Sequence, residues 1–482
     1  MLFNSLHFLI FFPIIVFLYF AIPHKYRWIL LLAASYYFYM SWNAKYAILL
    51  IISTIVDYSA ALLMGKTEEN ATRRKYLFAS LAANLGLLFV FKYLNFFSSS
   101  LNNILLSFNS PLDIPHLNIL LPVGISFYTF QTLSYTIDVY RGKIQPEKHL
   151  GIFAVYVSFF PQLVAGPIER AKNLLPQFFV NHEFDYKRVT DGLKIMLWGF
   201  FLKMVIADRL AALVNEVYNN IYSYSGLPLL LATYFFAFQI YCDFAGYSFI
   251  AIGAAKIMGY NLMDNFRRPY FSQSISEFWK RWHISLSTWF KDYLYIPLGG
   301  NRTAKYRWYL NLFIVFLVSG FWHGANWTFI FWGALHGFYL VFSIFTAGLR
   351  KKIVEFTGIV KFPKVYKIIK VLITFHLVLI GWIFFRANSL ADAFYALSHL
   401  FIDFSSGLSA VLPKLSFYQD ILLGAAAILF MEFIHLLQER RGMRQFLDSK
   451  PLLVRWAVYY LIIFGILLFG VFEETPFIYF QF

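Results

Sequence analysis

The sequence predicts an all-α, polytopic membrane protein, and three observations carry that prediction. Of 482 residues, 60% are hydrophobic and only 14% charged, with a mean hydropathy of +0.60, so there is too little polar surface to cover a water-soluble globule. Apolar stretches of membrane length recur from Leu6 almost to Phe482, which leaves no room for a separate soluble domain of ordinary size; residues 1–482 are read as a single integral-membrane domain. Third, the 41 Lys and Arg that face 25 Asp and Glu, a net charge of +16, collect in alternate loops, as cytoplasmic loops do. On a soluble chain that excess would suggest nucleic acid. Here it gives orientation, and no nucleic-acid partner is expected.

Taken in order, the N-terminus lacks a basic leader, and no small-residue cleavage site follows the first apolar run, so that run is a permanent span. Lys25 and Arg27 follow it, and Lys66, Arg73, Arg74 and Lys75 follow the third span, which places both turns inside and the N-terminus outside. The stretch from Ser98 to His116 has no Lys or Arg and fits outside, and a fifth span leads back to Arg141, Lys143 and Lys148. The run from Ile152 to Gly166 breaks the alternation, because the basic residues Arg170, Lys172, Lys187 and Arg188 come after it. It is short and carries Pro161, Gly166 and Pro167, so residues 159–167 are read as re-entrant or interfacial. Broken backbone survives at membrane depth only where protein or a watery cavity satisfies its polar groups.

Spans near Lys194–Ile206 and Leu229–Ile250 go out and back. The polar stretch from Lys256 to Arg307 follows, with nine Lys and Arg against Asp264, Glu277 and Asp292. The next basic loop, Arg350 to Lys367, is also inside, so residues 308–346 form a tight hairpin with its apex near Phe321–Trp327. Three further spans, around 368–385, 421–437 and 453–472, alternate with Arg440, Arg441 and Arg444 inside and an acidic C-terminus outside. The total is about 11–12 transmembrane helices plus the re-entrant pieces. The one cysteine, Cys242, excludes an intramolecular disulfide.

Two histidines stand out. Ser274 and Glu277 have the spacing of a capping box, and on a helix continued from there Trp279, Trp282, His283, Leu286 and Phe290 share one apolar stripe, opposite Glu277, Lys280, Ser287 and Lys291. His323 sits at the hairpin apex between Gly320 and Gly324, two positions that allow close approach of another backbone or of a substrate. An ionisable group at membrane depth is costly and usually functional, and imidazole can take up and release a proton near neutrality. Acyl transfer to a hydroxyl needs such a base. The alternative is a pair of rings satisfied by hydrogen bonds within the bundle.

The run Phe278-Trp-Lys-Arg-Trp-His-Ile-Ser-Leu-Ser-Thr-Trp-Phe290, then Asp292-Tyr-Leu-Tyr-Ile-Pro-Leu-Gly-Gly-Asn-Arg302 and Trp322-His-Gly-Ala-Asn-Trp327, closely resembles the membrane-bound O-acyltransferase family, in its bacterial alginate O-acetyltransferase branch. Leu121–Gln131, Gln162–Pro167, Gln239–Ser248 and Gly381–Ala387 agree as well, so the resemblance covers most of the chain. It implies a ring of membrane helices around a thinned central cavity, with His323 as the catalytic histidine and His283 as the second functional one. It also implies a thioester donor, acetyl-CoA or a charged acyl carrier, as substrate, with no bound cofactor or metal, and an acetyl group passed outward to a polysaccharide such as alginate or peptidoglycan. A partner of the SGNH-hydrolase type and the bacterial cytoplasmic (inner) membrane belong to the same picture. Where alginate-type relatives carry an acidic residue after Gly246-Tyr-Ser248, this chain has Phe249, which leaves the polymer open.

On this reading His323 is the general base and His283 orients or assists it. Trp282 and Trp322 either exclude water from the thioester or are packing aromatics. Lys280 and Arg281, with Arg267 and Arg268, either meet the donor's phosphates or are solvated inside charges. Asp243 is either a polar member of the cavity or a structural hydrogen-bond partner. Two rival functions remain: a D-alanyl transferase acting on teichoic acid, and, from another class, a transporter or flippase. Against transport, the sequence shows no paired halves with corresponding broken helices.

Overall fold

The computed structural model describes residues 1–402, 415–440 and 449–478, except Pro111, Asn118, Ala165, Glu474 and Pro476. Arg441, Arg444 and the last four residues, which enter the expected topology, lie outside the described residues. All regular structure among the described residues is helical. Seven of these helices are long and apolar enough to cross a membrane: Ala44–Gly65, Asn70–Ser107, Leu227–Met258, Trp327–Phe345, Pro363–Arg386, Gln419–Gln438 and Leu452–Phe469. Leu6–Ala21, equally apolar, is shorter. Contacts gather into two compact units, residues 1–196 with 250–263, and residues 197–249 with 264–482.

In the first unit the helices Ala47–Gly65, Asn70–Leu88 and Ile125–Tyr140 pack around a polar knot. Asp57, fully buried, accepts from Ser80 Oγ at 2.5 Å and from Asn84 Nδ2 at 2.9 and 3.0 Å, and Ser53 Oγ donates to Asn84 Oδ1 at 2.7 Å. Such cross-helix bonds tie helices where no hydrophobic force separates protein from lipid. The helix that begins at Asn70 runs on through a π turn to Ser107, so Ser98–Ser107 is helical and the loop without Lys or Arg is shorter than the composition suggests.

The interrupted run is held as its sequence predicts. The helix Leu150–Ser158 stops at Phe159, and only the single turn Phe160–Leu163 follows. Nine residues rise about 14 Å, under half of the ~30 Å hydrocarbon thickness, so this helix cannot span. Protein satisfies the broken backbone: Phe160 N–H donates to Ser35 Oγ at 3.0 Å, and the Tyr156 carbonyl accepts from Gln131 at 2.6 Å and Gln162 at 3.0 Å. Beyond it Glu169 is buried, and desolvation pushes its carboxyl up to about 7 against the Met263 N–H and Arg170, which pull it down.

In the second unit a helix running in from Tyr186 opens into a π turn at Phe201–Ala207 and continues as Asp208–Asn219. The wider i→i+5 register lets Asp208 N–H reach the Lys203 carbonyl and puts both side chains on one side. Gly246 of Leu227–Met258 packs there, where an added Cβ would lie 2.8 Å from the Gly199 carbonyl. The hairpin expected over 308–346 is present as Lys305–His323 and Trp327–Phe345. Its arms meet at glycines: a Cβ on Gly320 would strike the Phe329 carbonyl and come within 3.0 Å of Gly333.

Candidate active site

Every group of the site comes from the second unit. His323 is the last residue of the hairpin's first arm and is 3% exposed. The chain must turn immediately after it, and Gly324 permits the turn by packing, since its φ is an ordinary −156° and a Cβ there would run into the Phe329 ring. Around His323, ring centroids lie 5.0 Å away for Trp322, 5.0 Å for Trp332 and 5.4 Å for Phe385.

His283 reaches the same place by a route that differs from the helical-wheel reading. Ser274 does cap a helix, its Oγ accepting from Glu277 N–H at 3.1 Å, but that helix is only Ile275–Arg281. Trp282 is extended, His283 is left-handed at φ +43°, and a second helix runs Ile284–Phe290. The single stripe through Trp279, Trp282, His283, Leu286 and Phe290 therefore does not exist; the break aims the fully buried His283 ring independently of Trp282. The ring lies 4.6 Å from Phe244, edge-on, and is stacked at 6.4 Å on Phe266.

The two imidazoles are 6.3 Å apart between centroids, with Trp322 6.1 Å from His283. His283, His323 and Trp322 are thus brought together inside an aromatic box. Trp282, wholly buried, is one layer out, 4.9 Å from Trp382 and 5.1 Å from Phe266. The charged candidates are elsewhere. Lys280 is exposed; Arg281 pairs with Glu277 at 2.5 Å, Arg267 with Asp264 at 2.8 Å, and Arg268 donates to the His435 carbonyl at 3.2 Å. Asp243 is engaged by Lys203 Nζ at 2.8 Å, which also holds Asp208 at 2.7 Å, and by Ile478 N–H at 2.7 Å. Its chain neighbour Phe244 is what touches His283.

Sequence reasoning passed over His336, Lys203 and Asn265. His336, wholly buried, accepts from Trp279 Nε1 at 3.3 Å and packs 5.0 Å from Trp332; a histidine one turn beyond a Trp in an apolar span was the available signal. Lys203 was equally legible as a lone ammonium within Phe200–Ile206, which must find carboxylates. Asn265 carried no pattern, because its role depends on chain segments that meet only in the fold.

Residues 148–387, which contain both histidines, match the model of the membrane-bound O-acyltransferase family. A protein of Pseudomonas aeruginosa named "Probable alginate O-acetylase AlgI" is 43% identical over 397 residues, 82% of this chain and 73% of the relative. The chain belongs to the membrane-bound O-acyltransferase family. An Azotobacter vinelandii protein of the same name is 38% identical over the whole of both chains. A "Peptidoglycan O-acetyltransferase" of Helicobacter pylori is 39% identical over 75% of this chain and 71% of its own. This member of the family is accordingly a multi-pass membrane acyltransferase, and the buried imidazole pair is its candidate catalytic centre.

Proposed function

We propose that the protein moves an acetyl group from a cytoplasmic thioester, acetyl-CoA or a charged acyl carrier, across the membrane to hydroxyls of an extracytoplasmic polysaccharide such as alginate or peptidoglycan. The observation that carries this reading is the meeting of His283 and His323, from separate helices, in a buried aromatic box. A base must lie within about 3 Å of the proton it takes, and rings 6.3 Å apart suit a hydroxyl oxygen held between them. His323 takes the proton as the hydroxyl oxygen bonds to the carbonyl carbon; the C–S bond then breaks, and the proton passes to the leaving thiolate. His283 orients or assists, while Trp322 keeps water from the thioester. Lys280, at the exposed end of Ile275–Arg281, meets the donor's phosphates or an acidic carrier, assisted by Arg281 beside it. The relatives' names supply the acceptors, and an SGNH-hydrolase-type partner completes the transfer outside.

The test incubates membranes holding the protein and its partner with radiolabelled acetyl-CoA and either de-O-acetylated alginate or peptidoglycan sacculi. His323→Ala is expected to abolish label transfer, a drop of about 10²-fold or more. Transfer that survives the substitution overturns the assignment. Acceptor movement without acetylation indicates transport, and labelling only from a D-alanyl carrier protein indicates the teichoic acid reaction.

A further inference from the structure

His283 carries one of three positive φ angles among the described non-glycine residues, the others being Asn109 and Arg268. For a residue with a Cβ that conformation is strained and persists only when its surroundings over-determine it. The surroundings here are one side chain and the strand of backbone that carries it. Asn265, 1% exposed, accepts from Ile284 N–H through its main-chain carbonyl at 2.9 Å. Its Oδ1 accepts from Ser285 N–H at 3.4 Å and from Ser285 Oγ at 3.0 Å. Its Nδ2 donates to Ser248 Oγ at 3.2 Å, on Leu227–Met258, the helix that also supplies Phe244 to the His283 ring. Two residues on, Arg267 N–H donates to the Arg281 carbonyl at 2.9 Å. The two residues that follow His283 and the last residue of the helix before it are therefore gripped by 265–267, and Phe266, between the gripping residues, stacks on the imidazole.

We propose that Asn265 is the positioning residue of the acyl-transfer site: it holds the left-handed turn that aims His283 at His323, and Ser248 fixes Asn265 in turn. The side-chain hydrogen bonds of Asn265 go to Ser285 and Ser248; it acts through the backbone of His283. This rests on the acetyl-transfer reading above, and the experiment separates the two.

A double-mutant cycle of Asn265→Leu and His283→Ala is measured in the same label-transfer assay, with kcat and KM for acetyl-CoA determined for each protein. Leu keeps the branched shape and removes all three side-chain hydrogen bonds. A displaced catalytic group costs about 10–100-fold in rate, so Asn265→Leu is expected to lower kcat by that factor with KM within twofold. In the His283→Ala background the same substitution is expected to change nothing, because coupled groups are non-additive. Losses that multiply in the double variant, or a rise in KM at unchanged kcat, overturn the proposal. Should Asn265→Leu fail to accumulate as a monodisperse protein in detergent, Ser248→Ala replaces it, with a loss of about threefold or more expected only when His283 is present; equal losses in both backgrounds overturn it. Wild-type transfer that ignores His323→Ala sinks the catalytic reading instead, whereas transfer abolished by His323→Ala yet indifferent to Asn265→Leu sinks only this one.

Discussion

Lys203 shows how a single side chain can be legible in sequence as a problem while its solution is not. An ammonium among Phe200, Phe201, Leu202, Met204 and Val205 has to be paired, and the structure pairs it twice, with Asp208 at 2.7 Å and Asp243 at 2.8 Å, all three nearly inaccessible. Asp208 is five residues on and meets it through the π turn; Asp243 comes from the next helix. Asp243 also accepts from Ile478 N–H, so both of these contacts are those of a structural partner. Removing one member of a buried ion pair costs about 3–5 kcal/mol because the other charges stay behind uncompensated. Lys203→Met is therefore expected to lower the thermal midpoint in detergent sharply, and Lys203→Met with Asp208→Asn and Asp243→Asn to recover most of the loss. A triple variant less stable than the single one contradicts the assignment of the cost to stranded charge.

At the scale of elements, most of the helices follow from the sequence, because length and continuous apolarity are local properties. The hairpin was placed by parity: two inside loops with a short apolar interval between them require a turn, and the turn falls at His323. The helix expected over 274–290 is two helices, Ile275–Arg281 and Ile284–Phe290, for an equally physical reason. Its apolar residues fit a 3.6 period, but the break at Trp282–His283 is imposed by bonds from Asn265 and Arg267, which no periodicity within 274–290 contains. The hairpin's arms give a direct test of how closely the site depends on packing. An added methyl on Gly320 meets backbone atoms of Phe329 and Gly333, which cannot rotate away, and overpacking of this kind costs about 1–3 kcal/mol. Gly320→Ala is expected to lower the melting temperature and, by displacing the end of the arm that carries His323, to reduce label transfer as well. Gly348→Ala, where nothing lies within 4 Å, is the control and is expected to be neutral or slightly stabilising. Equal behaviour of the two variants would remove the argument for tight arm packing.

For the molecule as a whole, charge placement is the observation with most reach, since one physical rule orders the loops on either side of the interrupted run at Ile152–Gly166. The positive-inside rule expects Lys66–Lys75, Arg141–Lys148 and Arg350–Lys367 on one side and the segment from Ser98 to His116, which has no Lys or Arg, on the other. Under the proposed orientation the first side is cytoplasmic, where a phosphate-bearing donor arrives, and His323 ends an arm that points away from it. Cys242 makes this testable, because it is the sole cysteine and is buried; Cys242→Ser provides a background in which any new thiol reports alone. Ser107 and Lys352 are both exposed and fall on opposite sides of the expected topology. In spheroplasts a membrane-impermeant maleimide is expected to label Ser107→Cys at once and Lys352→Cys only after permeabilisation. The reverse pattern inverts the topology and with it the direction of acetyl transfer. Immediate labelling of both positions breaks the loop alternation itself, and with it the expectation that the hairpin around His323 starts and ends on the cytoplasmic side.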